Sequence, residues 1–172
     1  MKIINSDPED IDAIFKLYDE AIKYQKIHFT QHWQGFDKEM VEKETAEKKQ
    51  WKVLDADENI CCIFATAYTD PFIWEDKDKD PSIYLHRIVT NPLCRGKNYM
   101  LNIVEWAKCF GKENQKKFIR LDTWGENKKL IDYYIKCGFK FIGLIKLEEA
   151  SDLPKHYSTA LLGLLEIEIT NS

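Results

Sequence analysis

Nowhere in the 172 residues is there a run of about 18 apolar residues, so no segment reads as a membrane-spanning helix. The opening Met-Lys-Ile-Ile-Asn-Ser-Asp-Pro-Glu-Asp lacks the apolar stretch of a secretory signal, and a cytoplasmic location is expected. Arginine is scarce: Arg87, Arg95 and Arg120 stand against 22 lysines, and the formal net charge is −4. That mild acidity argues against a nucleic-acid backbone as the main partner, so neither nucleic acid nor membrane is expected to bind. Cys-x-x-Cys is absent, and the five cysteines are an odd number, which fits free thiols in a reducing compartment. Cys61 and Cys62 are neighbours on a strand and point to opposite faces, so they cannot clamp one metal together. Repeats, low-complexity linkers and breaks in composition are also missing, and residues 1–172 read as one domain.

What is present supports a packed core. The chain is 44% hydrophobic and 13% aromatic, enough to bury roughly 70% of its unfolded surface. Residues 2–5 read as a strand. Asp7-Pro8-Glu9-Asp10 supplies an N-cap, a first-turn proline and first-turn acids. Ile11, Ile14, Phe15, Tyr18 and Ile22 follow at helical spacing. A second helix is expected from Asp37 to about Gln50. Trp51–Asp55 and Ile60–Thr69 read as a hairpin around Ala56-Asp57-Glu58-Asn59. Residues 70–81 read as a loop, with the alternating charges of Glu75–Asp80 solvated. Strand 82–90 then leads through a turn into a helix carrying Met100, Leu101, Val104 and Ala107 and ending near Gly111. Phe118–Thr123 is a strand, 127–137 a helix closed by Gly138, and Lys140–Leu147 and Thr159–Ile169 are strands on either side of Glu148–Ser158. The order predicts an α/β (α+β) fold, a mixed central sheet of about seven strands flanked by about four helices on both faces.

The most informative stretch is Ile88-Val89-Thr90-Asn91-Pro92-Leu93-Cys94-Arg95-Gly96-Lys97-Asn98-Tyr99-Met100. A strand that turns into a helix start aims unpaired backbone N–H groups at one point, and the helix dipole adds positive charge there, which suits a phosphate or pyrophosphate. A second segment runs from Arg120-Leu121-Asp122-Thr123-Trp124-Gly125-Glu126-Asn127 to Tyr134-Ile135-Lys136-Cys137-Gly138-Phe139. Together the two resemble the GNAT superfamily of acetyl-CoA-dependent N-acetyltransferases. Arg95, Gly96, Asn127, Tyr134, Gly138 and Phe139 match its motifs in order, and the element order is similar across nearly the whole chain. Asn98 and Met100 stand where the family has small residues.

The resemblance implies an acyl-CoA-dependent transferase of the GNAT fold, with acetyl-CoA as cosubstrate and a primary amine attacking the thioester directly. It implies that the sheet splays at Ile88, Val89 and Thr90, whose backbone pairs with the pantetheine arm, and that one N–H polarises the thioester carbonyl. Taken alone, these residues fit a buried parallel strand. Arg95, Gly96, Lys97, Asn98, Tyr99 and Met100 would cradle the pyrophosphate; Asn98 tolerates unusual backbone angles, whereas Met100 must turn into the core. Taken alone, the loop is a solvated basic turn. Asn127 is a helix N-cap by its own chemistry and a cofactor contact by resemblance. Tyr134 shares a helix face with Leu130 and Ile131, as a core tyrosine would; by resemblance it is the acid that protonates the departing thiolate.

The base is open. His86 lies two residues before Ile88 and titrates near neutrality; it also fits a satisfied polar residue within the sheet. Asp122 is the second candidate, or else a partner for Arg120 or Arg87, and a water chain to a distant carboxylate would serve as well. His28 and His32 are four apart, which is metal-like, yet two ligands do not make a site and no metal is expected. His28, Phe29, His32, Trp33 and Phe36 are read as the wall of an acceptor pocket or as peripheral packing. A small-molecule amine and a peptide or protein amine both fit as acceptor, and a homodimer is compatible with the reading. The alternative is a catalytically inactive CoA-binding module, supported by Asn98 and Met100. An aminoacyl-tRNA acceptor is disfavoured by the negative charge.

Overall fold

The computed structural model describes residues 1–147 and 160–170. Seven strands form one sheet in the order β1-β2-β3-β4-β5-β7-β6. They are β1 (Lys2–Asn5), β2 (Gln50–Leu54), β3 (Ile60–Ala67), β4 (Ser82–Thr90), β5 (Phe118–Trp124), β6 (Lys140–Lys146) and β7 (Leu161–Glu168). The helices are α1 (Ile11–His28), α2 (Lys38–Ala46), α3 (Pro71–Trp74), α4 (Tyr99–Glu113) and α5 (Lys128–Lys136). β1–β2, β2–β3, β5–β7 and β6–β7 are antiparallel, whereas β4 and β5 are parallel, so the sheet is mixed as expected. The connection Glu148–Ser158 and Thr159 of the last expected strand lie outside the described residues. By its internal contacts the chain divides into two units, Met1–Thr66 with Arg87–Tyr99 and Ala67–His86 with Met100–Ser172.

In the first unit the N-terminal signals act as read. The Asp7 carboxylate accepts from the Glu9 N–H, and Asp10 returns the bond to the Asp7 N–H in a capping box with Pro8 in the first turn. α1 then buries Ile11, Ile14, Leu17 and Tyr18 against Val41, Ile63 and Val89. The hairpin turn is held by Asp55, whose side chain accepts from the Asp57 and Asn59 N–H groups, each at 2.9 Å. α2 ends at Ala46, earlier than the expected Gln50. Lys48 turns left-handed at φ 60°, and Gln50, fully buried, opens β2. Burial of the Gln50–Leu54 strand outweighs the weak helical preference of that charged stretch.

The second unit packs Ile73, Trp74, Tyr84, Leu147, Ala160, Leu162 and Leu164 as one cluster. Here the reading of 70–81 as a solvated loop is corrected. Asp70-Pro71 starts α3, whose Ile73 and Trp74 are buried, and Glu75–Lys79 continues as a 3₁₀ turn. The turn is pinned by chemistry that the alternating charges conceal. Tyr84 donates its hydroxyl proton to Asp78 at 2.6 Å. The Arg120 guanidinium, 1% exposed, donates to Asp80 at 3.0 Å, Glu166 at 2.7 Å and the Lys77 carbonyl. A buried guanidinium needs most of its donors paired, and the acidic run supplies them.

Candidate active site

In the first unit, β4 ends in a built turn. The Asn91 N–H donates to the Cys61 carbonyl at 2.8 Å, its side-chain amide donates to the Ile60 carbonyl at 2.9 Å, and its Oδ1 accepts from the Leu93 N–H at 3.1 Å. A 3₁₀ turn over Pro92–Cys94 follows, then exposed Arg95, Gly96, Lys97 and Asn98, then α4 from Tyr99. Gly96 sits at φ 89° and Asn98 at φ 46°, both left-handed. Tyr99 and Met100 are buried, so the methionine turns into the core rather than across the loop. The Gly96 and Lys97 N–H groups donate to no backbone carbonyl among the described residues, and the first turn of α4 adds the unpaired donors that every helix start carries. Arg95 is steadied by its guanidinium lying 5.0 Å from the Tyr24 ring centre. Val89 is buried in the core, with Ile88 and Thr90 half-buried on either side.

Nearby aromatic residues divide between the two readings of that region. Tyr18, Trp33 and Phe36 pack edge-on and tilted against one another, with centroids 4.7–6.4 Å apart. His28 is exposed and lies over Tyr24 at 4.3 Å. α1 ends at His28, so His28 and His32 do not share a helix face and the metal-like spacing lapses. Arg87, left-handed at φ 49°, pairs with Glu44, donates to the Tyr18 hydroxyl at 3.2 Å and covers the Phe36 ring. It is therefore engaged by Glu44.

In the second unit the parallel register of β4 with β5 runs over Ser82–Tyr84 against Phe118–Arg120, although β4 continues to Thr90 and β5 to Trp124. His86 and Asp122 come together on these strands, and a third group, Asp70, joins them. One side-chain N or O of each lies within 4.8 Å of the others, and all three residues are half-buried. The His86 Nε2 is 3.6 Å from Asp70 Oδ2. Burial first, then the negative charges of Asp122 and Asp78, push the Asp70 carboxyl from 3.8 up to about 7, with the Ile73 N–H working the other way. Asp122, the second base candidate with Arg120 or Arg87 as its structural alternative, lies beside His86, while Arg120 is held by Asp80 and Glu166. Sequence reasoning missed Asp70. Its signal was Asp70-Pro71 at a helix start.

Asn127 caps α5, its Oδ1 accepting from the Leu130 N–H at 3.1 Å. Tyr134 is half-buried on that helix, edge-on to Phe139 at 5.9 Å and beside Tyr133 at 5.7 Å. Gly138 closes the helix at φ 101°, as read.

The family model described as "Acetyltransferase (GNAT) family" matches residues 23–139, more than half of the chain and inclusive of every residue above from Tyr24 to Phe139. The chain belongs to the acetyltransferase (GNAT) family. A curated relative, the uncharacterized N-acetyltransferase YesJ of Bacillus subtilis (strain 168), is 25% identical over 142 residues, covering 78% of this chain and 79% of that protein. A GNAT-family acetyltransferase from Listeria monocytogenes 4b F2365 superposes with a TM-score of 0.76 at 22% identity, over 97% of this chain and 94% of that one. YncA, a putative acetyltransferase from Salmonella typhimurium solved with its cofactor acetyl-CoA, superposes at 0.69 with 12% identity, over 100% and 95%. The GNAT fold read from the element order is thus the observed one. Among the described residues no helix is long and apolar enough to cross a membrane, and the free cysteines agree with the thiol reading.

Proposed function

We propose that this chain is an acyl-CoA-dependent N-acetyltransferase that moves the acetyl group of acetyl-CoA to a primary amine by direct attack. The observation that carries the reading is the exposed Arg95–Asn98 turn. Two of its residues are left-handed, Met100 is turned inward, and α4 starts behind it, as pyrophosphate binding through backbone N–H groups requires. Asn98 adopts a left-handed angle that glycine favours and Met100 is buried, both of which are compatible with a phosphate at the turn.

In this reading the backbone of Ile88, Val89 and Thr90 receives the pantetheine arm, with a Val89 N–H on the thioester oxygen. Asn127 contacts the cofactor from the α5 start, and Tyr134 protonates the leaving thiolate. His86, with Asp122 beside it, takes the proton that the acceptor must lose before its nitrogen has a lone pair. The acceptor is a small-molecule amine or a peptide amine. No resident metal is called for.

Acetyl-CoA is expected to raise the melting temperature by mass action: at 100 times its Kd a native-state ligand adds about 2.7 kcal/mol. Free coenzyme A thiol should then be released in the presence of one or more members of an amine panel. Absence of both a thermal shift and calorimetric binding at millimolar acetyl-CoA would remove the cofactor from the account.

The loop itself is testable by two changes of opposite sense. Gly96→Val places a β-branched side chain at φ 89°, where a Cβ meets no protein atom within 4 Å and would project toward solvent and ligand. It should lower stability by about 1–2 kcal/mol and weaken acetyl-CoA binding about tenfold or more. Asn98→Gly relieves a left-handed residue, and binding should be unchanged or tighter. Calorimetric titration of both variants checks this; wild-type affinity in Gly96→Val would mean the pyrophosphate lies elsewhere.

A further inference from the structure

The Asp70 carboxylate has no role in the reading above, yet its surroundings are unusual for a surface-loop acid. Its side chain is 11% exposed, and its Oδ2 is buried with no hydrogen-bond partner among the described residues. That oxygen faces the Nε2 of His86 across 3.6 Å, longer than a hydrogen bond and short enough for a small ring movement to close. The other groups that bear on it electrostatically are Asp122 on β5 and Asp78 on the 3₁₀ turn, both acids. Asp78 is already engaged, accepting from the Asp70 N–H at 2.7 Å and from the Tyr84 hydroxyl. A buried carboxylate oxygen left without a donor beside an imidazole is costly unless the imidazole becomes that donor.

We propose that Asp70 is a positioning residue for His86, orienting the ring through Nε2 and offsetting the charge that the ring gains when it takes the acceptor's proton. This rests on the acetyltransferase reading for the identity of the proton donor. The balance is as follows. The acceptor ammonium gives one proton to His86, which becomes imidazolium between Asp70 and Asp122. The freed nitrogen pair forms the N–C bond as the C–S bond breaks. Tyr134 protonates the departing thiolate, the nitrogen's second surplus proton restores the Tyr134 phenol directly or through solvent, and His86 returns its proton to solvent after turnover.

The geometry also sets a trade-off. The Asp70 carboxyl holds its proton up to about pH 7 in the folded chain against about 4 unfolded, so the stability tied to that proton is full below pH 4 and is lost as pH rises to 7. Above pH 7 the fold carries an ionised buried carboxylate.

The test is Asp70→Asn, which keeps the shape and cannot ionise, with Asp122→Asn in parallel. The ring signals of His86, assigned by their loss in His86→Gln, are titrated by NMR without any substrate. Melting temperature is followed from pH 5 to 8. In wild type the His86 and Asp70 protons titrate as one coupled pair, and in Asp70→Asn the His86 step is expected to become single and to lie at lower pH. The melting temperature should come nearest to wild type at pH 5 and exceed it increasingly toward pH 8. Where an acceptor is in hand, kcat should fall about tenfold or more with the KM for acetyl-CoA unchanged. An unaltered His86 titration, or a uniform loss of melting temperature at every pH, overturns the proposal. So does a shift seen only in Asp122→Asn, or a stoichiometric divalent metal in the wild-type protein that Asp70→Asn loses. Calorimetry with acetyl-CoA is run on the same samples: if wild type fails to bind it while the His86 titration still shifts, the transferase reading falls and the Asp70–His86 coupling stands.

Discussion

Tyr134→Phe is expected to lower turnover by about 100-fold or more while acetyl-CoA affinity and melting temperature stay near wild type. The substitution keeps the ring that packs edge-on to Phe139 on α5 and removes the one proton the side chain can give. A thiolate leaving from acetyl-CoA needs that proton, and a phenol still carries it at neutral pH. A tyrosine that only packs would behave differently: loss of its hydroxyl would cost roughly 1 kcal/mol of stability and turnover would hardly move. Steady-state thiol release and thermal melts on the same variant separate the two. Full activity in Tyr134→Phe would take the acid role away from this residue and leave the fold assignment intact.

Arg120→Met is expected to have the largest effect on stability, a loss of about 3–5 kcal/mol. The guanidinium is almost wholly buried and ties β5 to two other parts of the second unit: the 3₁₀ turn, through the Lys77 carbonyl and Asp80 just after it, and β7, through Glu166. It also lies 4.6 Å from the Phe118 ring centre and 4.9 Å from that of Trp74, so its loss removes packing as well as charge. Methionine fills much of the volume but leaves Glu166, whose side chain is 15% exposed, without its partner. The double variant Arg120→Met with Glu166→Leu should recover a large part of the loss, because the cost lies in the orphaned carboxylate rather than in the missing pair. Urea denaturation of wild type, single and double variants measures this. A single variant within 1 kcal/mol of wild type would mean that water reaches Glu166 and that the cage holds nothing in place. Because the same turn follows α3 and Asp70, Arg120→Met should also loosen the Asp70–His86 approach, and its activity should fall more steeply than its stability alone explains.

The elements that carry chemistry along the chain were legible because their signals are local. Asp7-Pro8 caps a helix wherever it stands, and Asn127 caps another by a bond to Leu130 three residues on. Gly96 and Asn98 take the angles that their side chains permit. The order of strands and helices follows from periodicity, the mixed sheet follows from that order, and the family resemblance came from the two motif segments. Residues that act through distant partners were not legible. Glu75–Asp80 looked like a solvated charge run because alternation of sign says nothing about a cation forty residues away. Arg120 creates the need, and only the folded sheet brings Asp80, Lys77 and Glu166 to it. The partners of Asp122 and Arg87 were not legible for the same reason. Their neighbours in sequence offered candidates, while the fold offered Glu44 to Arg87 and His86 with Asp70 to Asp122.

By itself, then, the sequence determined most of the strands and the longer helices, though not α3 or the end of α2, and which family the chain resembles. These are properties of hydrophobic period, capping and backbone angle, all set within a few residues. Tertiary structure alone decided which acid faces His86, which carboxylates neutralise the buried arginines, and that residues 70–80 form part of the second unit's core. Those outcomes depend on desolvation and on charges meeting across long stretches of chain, and neither exists until the sheet has formed.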